Sequence, residues 1–248
     1  MLRVVGAFLF VLVALAGFYV LSVSQPTSGP ASIGARSPHL YGSPETSIKE
    51  ISLVVIYLVP ANKKPFLGWE AYVKSRIADL EQFHESQFLG LSHLTTTYIS
   101  SPVFGSKEST AYEIDAAHHT DATALEPVQE ELARLNAAAA VPAAPPGAYR
   151  AYLVILEGAG AAGSGDMAVI SRSYLTDPIN GSFASTMLAH EFYHTLGIPD
   201  GYDTSSHVYQ DNQKDVVAVL TSDDIMGRVR VPLVYAYLDQ GTKTAMGL

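Results

Sequence analysis

The chain alternates between nearly unbroken apolar runs and segments in which apolar residues recur at helical spacing. Residues 51–59 form an almost continuous apolar run stopped by Pro60, which is typical of a buried central strand. Residues 69–88 carry an apolar stripe that predicts a helix, and residues 95–99 predict the next strand. Strand, helix and strand at this spacing predict a right-handed parallel crossover.

The second half of the chain begins with a less regular region. Residues 100–123 show no clear period, and residues 126–140 predict a helix that ends at the Pro- and Ala-rich connector 141–147. We interpret this region as an insertion. Residues 151–156 then predict a third buried strand, and an apolar stripe along residues 231–246 predicts a C-terminal helix.

The N-terminal 24 residues are nearly all apolar after Arg3, and residues 4–23 reach the length of about 20 residues that spans a bilayer. We predict a transmembrane anchor, with a cleaved signal peptide as the alternative. Arg3 on the short side places the remaining chain outside the cell, so the expected location is the cell surface, or secreted if the segment is cleaved. Residues 25–50 are predicted to be a Ser-, Pro- and Gly-rich linker, and residues 51–248 one folded domain.

Composition narrows the functional classes. Of the 248 residues 48% are hydrophobic and 16% charged, which fits a globular core plus an apolar anchor. The net charge of −9 argues against a nucleic-acid partner, because phosphate binding requires clustered Lys and Arg. The absence of cysteine excludes disulfides, thiol catalysis and cysteine metal ligands.

The candidate chemistry is concentrated in His190-Glu191-Phe192-Tyr193-His194-Thr195-Leu196-Gly197-Ile198-Pro199-Asp200. Residues 183–196 predict a helix, on which His190 and His194 project from one face about one turn apart, a spacing that suits one zinc ion. Glu191 lies on a neighbouring face, where it can reach a metal-bound water as a general base. Gly197 ends the helix and lets the chain return with Asp200. The alternative, in which both histidines serve only packing or solvation, does not account for the Gly-x-x-Asp continuation.

The extended motif resembles that of the metzincin metallopeptidases, whose helix reads H-E-x-x-H-x-x-G-x-x-H or ends in Asp. The Asp ending and the following residues resemble the immune-inhibitor-A-type peptidases, with snapalysin-like enzymes as a more distant parallel. Asp223-Asp224-Ile225-Met226-Gly227 is similar to the metzincin turn whose methionine lies beneath the metal, with Met226 as the matching residue.

This resemblance implies an α+β metzincin-like zincin domain with a twisted mixed sheet, an active-site helix and a Met-turn, following the membrane anchor. It also implies zinc held by His190, His194 and Asp200, with Glu191 as the catalytic base. Metzincins place an edge strand above the cleft to pair with an extended substrate. Our candidate for that edge is the segment Ala168, Val169, Ile170 and Ser171.

A competing motif precedes this segment. Residues 158–163 spell G-x-G-x-x-G, the dinucleotide fingerprint, but that loop should open directly into a helix. Here residues 163–166 continue the loop and residues 167–173 are predicted to be extended, so the nucleotide hypothesis is disfavoured.

Two further segments are candidate metal sites. His118-His119-x-Asp121 is a candidate second metal site, although adjacent histidines point in different directions and a solvated loop explains them equally well. The acidic segment after Asp200 could hold a structural calcium ion, although it lacks EF-hand spacing. Its acidic residues are Asp203, Asp211, Asp215, Asp223 and Asp224, and His207 within it is a rival third zinc ligand.

The sequence therefore predicts a zinc-dependent endopeptidase that hydrolyses peptide bonds in extracellular peptides or proteins. The alternative is a catalytically silent metzincin-like binding module at the cell surface. The intact Glu191 favours the enzyme, because a binding module has no chemical need for a carboxylate beside the first histidine.

Overall fold

The computed structural model describes residues 36–114, 122–177, 180–209, 216–220 and 222–248, with the backbone alone for 202–209 and 216–220. The predicted anchor at residues 1–24 lies outside these ranges. Within them, no helix is long and apolar enough to cross a membrane.

Strands and helices are interspersed along the described chain from Ser37 onward. The strands are β1 His39–Leu40, β2 Ser43–Ser47, β3 Glu50–Val59, β4 His93–Tyr98, β5 Val103–Phe104, β6 Tyr149–Leu156, β7 Ala161–Ser164, β8 Met167–Ser171, β9 Tyr202–Tyr209 and β10 Val216–Leu220. The helices are α1 Trp69–Gln87, α2 Glu126–Ala137, α3 Arg172–Thr176, α4 Ala184–His194 and α5 Gln240–Ala245, and 3-10 turns occupy Ser109–Ala111, Ala122–Leu125 and Leu233–Tyr235.

The main sheet has the order β4-β3-β6-β8-β7, with β5 beside the end of β3. Strands β3, β4, β6 and β8 are parallel, whereas β7 runs antiparallel to β8. Strand β3 is buried beyond Glu50, since α1 and α4 pack on one face of the sheet and α2 on the other. This two-sided burial explains its nearly continuous apolar sequence. The predicted α+β fold with a mixed sheet is confirmed.

The predicted linker boundary at residue 50 is wrong, because the chain joins the domain earlier. Tyr41 N–H donates to the Leu196 carbonyl at 3.0 Å, and His39 N–H donates to the Met246 carbonyl at 3.0 Å. Ile48 is fully buried in the core. Residues 39–48 thus fasten the end of α4 to the C-terminal segment. This role could not be predicted from the polar composition of residues 39–48, because most of these contacts are made by backbone atoms.

The single C-terminal helix predicted at residues 231–246 is also wrong. The chain instead forms the short turn Leu233–Tyr235 and, separately, α5. Asp239 starts α5 as its N-cap, with Oδ1 accepting from Gly241 N–H at 2.7 Å and Thr242 N–H at 3.0 Å. Asp239 lies in the middle of the apolar stripe, and a capping side chain at that position begins a new helix instead of continuing an existing one.

Candidate metal centre

Helix α4 has one face in the core and another directed to the candidate site. Leu188 and Phe192 are fully buried against the sheet, and they are four residues apart, which places them on one face. His190 and His194 share the same spacing on a second face. The helix predicted from this pattern at residues 183–196 is confirmed as α4 with one flanking turn.

Gly197 allows the chain to turn back after α4. Its φ is +83°, a left-handed conformation that glycine adopts without the strain of a side chain. A Cβ there would also lie 2.8 Å from the Tyr41 carbonyl oxygen. The returning segment carries Asp200 to the histidines.

Three side-chain atoms meet beside the end of α4. Nε2 of His190 and Nε2 of His194 are 3.2 Å apart, and each lies 3.2 Å from Oδ1 of Asp200. In a tetrahedral zinc site with bonds of about 2.0–2.1 Å, neighbouring ligand atoms are about 3.3 Å apart. The three atoms therefore have the separation that a single zinc ion requires.

Backbone carbonyls orient both imidazoles. His190 Nδ1 lies 3.0 Å from the Ile225 oxygen, and His194 Nδ1 lies 2.8 Å from the Ile198 oxygen. A carbonyl only accepts, so each Nδ1 carries a proton, and in the neutral imidazole the Nε2 lone pair faces the space between the three atoms. This is the tautomer that a metal-binding histidine needs.

Asp200 shows that the cluster requires a positive charge. Its Oδ1 is buried and, within the described part of the chain, has no hydrogen-bond donor. Burial opposes ionisation of Asp200, but the contacts with His190 and His194 outweigh it and hold the pKa of this carboxyl well below its usual range. Burial alone would lower the pKa of His194, yet Asp200 and Glu191 raise it. Either a proton on an imidazole or a metal ion can supply the charge, and this donor set suits zinc.

Glu191 lies close to this cluster. The ligand atoms of His190, Glu191 and His194 all lie within 4.8 Å of one another. Glu191 thus belongs to the same polar group, but the 3.2 Å contacts single out Asp200 as the third ligand atom.

The predicted edge strand at Ala168, Val169, Ile170 and Ser171 is wrong. These residues belong to β8, which is hydrogen-bonded to β6 on one side and to β7 on the other, and all of β8 is buried. The edge is instead β7, the segment where the G-x-G-x-x-G motif ends. Because β7 is short and rich in Ala and Gly, it gives no alternating apolar pattern from which a strand could be predicted.

Strand β7 packs directly against the metal-site helix through Gly163. A Cβ at this position would lie 2.4 Å from the Glu191 carbonyl oxygen and 2.6 Å from Cβ of His194. Only glycine permits this approach, so position 163 sets the distance between the edge strand and the helix.

We expect Gly163→Ala to lower the free energy of unfolding by about 1–3 kcal/mol, because the added methyl overpacks a backbone contact. Urea denaturation measures this change. Gly165→Ala in the same hairpin is the control, because its φ is +62° and a Cβ there meets nothing within 4 Å. That variant should show only the smaller cost of a left-handed residue. A larger loss in Gly165→Ala would contradict the packing argument.

A tight turn over residues 224–227 is hydrogen-bonded to residues of the candidate site. Gly227 N–H donates to the Asp224 carbonyl at 3.0 Å, and Gly201 N–H donates to the Met226 carbonyl at 2.9 Å. Met226 itself is buried in the core beside α4. The turn therefore contacts His190 through the Ile225 carbonyl and also holds the residue that follows Asp200.

Of the other metal-site candidates, only Asp223 and Asp224 have described side chains. Asp223 pairs with Arg228 at 2.6 Å, and Asp224 is buried in the turn over residues 224–227. Two calcium candidates, Asp211 and Asp215, and the possible second metal site at 118–121 lie outside the described residues. The backbone of Asp203 and His207 belongs to β9, which pairs with β10.

Helix α4 and the three converging side-chain atoms form a candidate site for one metal ion. Residues 149–237 match the model of the immune inhibitor A peptidase M6 catalytic domain. The resemblance predicted from the Asp-ended motif is confirmed over this segment, which contains β6, β7, β8, α4, Asp200 and the 224–227 turn.

Solved structures with a similar arrangement share little sequence with this chain. Archaemetzincin from Methanopyrus kandleri is 16% identical, with a TM-score of 0.39, over 79% of this chain and 94% of its own. OgpA from Akkermansia muciniphila, solved with an O-glycopeptide substrate, is 12% identical, with a TM-score of 0.45, over 86% of this chain and 62% of its own. Metalloproteinase-II from Bacteroides fragilis is 16% identical, with a TM-score of 0.42, over 81% of this chain and 53% of its own. Among curated proteins, none matches the sequence.

Proposed function

We propose that this protein is a zinc-dependent endopeptidase in which His190, His194 and Asp200 hold the ion. The observation that carries this proposal is the triangle of ligand atoms 3.2 Å apart, with the buried Asp200 Oδ1 at one corner. The family match over residues 149–237 supports the same assignment. Met226, buried in the 224–227 turn, is the proposed Met-turn residue.

When bound, zinc lowers the pKa of a coordinated water and polarises a carbonyl oxygen. The protein's own contribution begins with Glu191, whose carboxylate takes a proton from the attacking water. The same group then passes that proton to the leaving amine. Its position beside His190, one residue along α4, lets it act on the water without occupying a ligand position.

The substrate is proposed to bind as an extended peptide along the free side of β7. This strand pairs with β8 on one side and forms the end of the described sheet, so its outward backbone groups can pair with another strand. Through Gly163 it lies against the Glu191 and His194 backbone. Pairing along a strand engages chain on both sides of the scissile bond without requiring a terminus, which favours an endopeptidase.

Cleavage of unfolded casein by the purified domain, with and without a chelator, tests this function. We expect cleavage that stops when the chelator removes zinc and resumes when zinc is restored. Chelator-insensitive cleavage would rule out the metal mechanism. A folded, zinc-loaded protein that binds peptides without cleaving them would instead support the cell-surface binding module.

The proposed location is the outer face of the cell, with residues 4–23 as a membrane anchor and extracellular peptides or proteins as substrates. The support is the length and apolar character of this segment. In the native host, the full chain should remain with membranes after a carbonate wash. A soluble chain whose N-terminus begins just after Ser24 would establish a cleaved signal instead.

A further inference from the structure

The peptide group joining Ile225 to Met226 has both of its polar atoms engaged at the site. Its carbonyl accepts the Nδ1–H of His190 at 3.0 Å, and its N–H donates to Oδ1 of Asp224 at 3.0 Å. Because a peptide group is planar, holding its N–H also fixes the direction of its carbonyl. One peptide unit therefore lies between a carboxylate and a metal-site imidazole.

Asp224 is an unusual residue to find in this turn, because it is only 2% exposed. Besides Met226 N–H, Oδ1 accepts from Ser222 Oγ at 2.8 Å and Oδ2 accepts from Asp239 N–H at 3.2 Å. The carboxyl group of Asp239 is also within hydrogen-bond reach of Asp224, and none of these partners is a cation. Burying a carboxylate without a cation costs several kcal/mol, which hydrogen bonds only partly offset. A neutral turn residue would avoid that cost.

An ionised Asp224 provides what a neutral residue cannot, a negative charge beside the N–H of this peptide. A charge-assisted hydrogen bond polarises the amide and increases the negative charge on the Ile225 oxygen. The hydrogen bond from His190 Nδ1–H to that oxygen is strengthened in turn. Metal-binding histidines commonly donate directly to a carboxylate, which orients the ring and raises its basicity. Here the carboxylate acts through one intervening peptide.

We propose that Asp224 is a positioning residue for His190, acting through the 225–226 peptide to strengthen zinc binding. The inference rests on the proposed zinc site. His194 provides an internal contrast, since its Nδ1 donates to the Ile198 carbonyl at 2.8 Å in a different loop. A change at Asp224 should therefore affect one of the two histidines selectively.

The test compares the zinc dissociation constants of the wild-type chain, Asp224→Asn and Asp224→Ala, measured by competition with a chromogenic chelator. Asn keeps an acceptor for Met226 N–H and so preserves the turn, but it removes the charge. We expect zinc binding to weaken about 3–10-fold in Asp224→Asn and about 10–100-fold in Asp224→Ala. The matched control is Asp223→Asn. That side chain is 67% exposed and pairs with Arg228, so its loss should leave zinc affinity unchanged.

A second measurement separates positioning from general stabilisation. In zinc-loaded protein with ¹⁵N-labelled histidine, Asp224→Asn should shift the Nδ1–H resonance of His190 and leave that of His194 in place. Equal shifts at both histidines, or wild-type zinc affinity in Asp224→Asn, would overturn the inference while leaving the zinc site intact. Failure of the wild-type chain to bind zinc would overturn the proposed function itself, and the inference with it.

Discussion

Glu191→Gln is expected to keep one zinc ion per chain and to lower the rate constant of peptide cleavage by about 10²–10⁴-fold. The amide preserves the shape of the side chain but cannot accept a proton from water. The ligand triangle does not depend on this carboxylate, because its three atoms come from His190, His194 and Asp200. Cleavage of a fluorogenic peptide and zinc content by atomic absorption provide the two measurements.

The same substitution at an exposed position provides the control. Glu70 lies on α1, where it pairs with Lys74 at 3.3 Å, so Glu70→Gln should alter neither zinc content nor rate. If Glu191→Gln loses zinc together with activity, Glu191 is a ligand and the proposed assignment of roles is wrong.

The site helix could be predicted from the sequence because its signals are local. His190 and His194 are separated by about one helical turn, and Gly197 marks the point where the helix ends. The same holds for α1 and β3, whose apolar patterns extend over many residues. In each of these elements, the residues that form the pattern are close together in the sequence, so the pattern can be recognised without knowledge of distant contacts.

The edge of the sheet could not be predicted in this way. Which of β7 and β8 lies outermost depends on pairing with β6, and the apolar sequence of β8 reflects burial that only this pairing creates. Gly163 is the last glycine of the G-x-G-x-x-G match, and in the structure it allows close approach to the backbone of α4. A motif match does not distinguish these two uses of glycine.

The supporting contacts of the site were missed for a different reason. The Ile225 and Ile198 carbonyls orient His190 and His194, and a backbone carbonyl leaves no signature in the sequence. A weak signal was present in Ser222-x-Asp224, because both residue types favour turns held by side-chain hydrogen bonds. The sequence nevertheless offers no means of connecting that turn to His190, which lies 35 residues before Ile225.

Asp200→Ala is expected to lower zinc affinity by more than about 100-fold, beyond the 10–100-fold typical of outer-shell partners, because it removes a direct ligand. Activity should fall in parallel. Asp200 Oδ1 is the third ligand atom, at 3.2 Å from Nε2 of each histidine. Its removal leaves only the two histidine ligands. Asp200→His should recover part of both properties, since the related motif ends in histidine and neutral imidazole is an accepted zinc ligand. Zinc titration and peptide cleavage measure the two effects.

The rival ligands in the following segment provide the controls. Asp203→Ala and His207→Ala should retain stoichiometric zinc, because both positions fall within β9, whose backbone pairs with β10, and the third corner of the triangle is already occupied by Asp200 Oδ1. Thermal unfolding of each zinc-free variant checks that the substitutions have not simply unfolded the domain. Full zinc in Asp200→Ala, with depleted zinc in Asp203→Ala or His207→Ala, would transfer the third ligand to the depleted position.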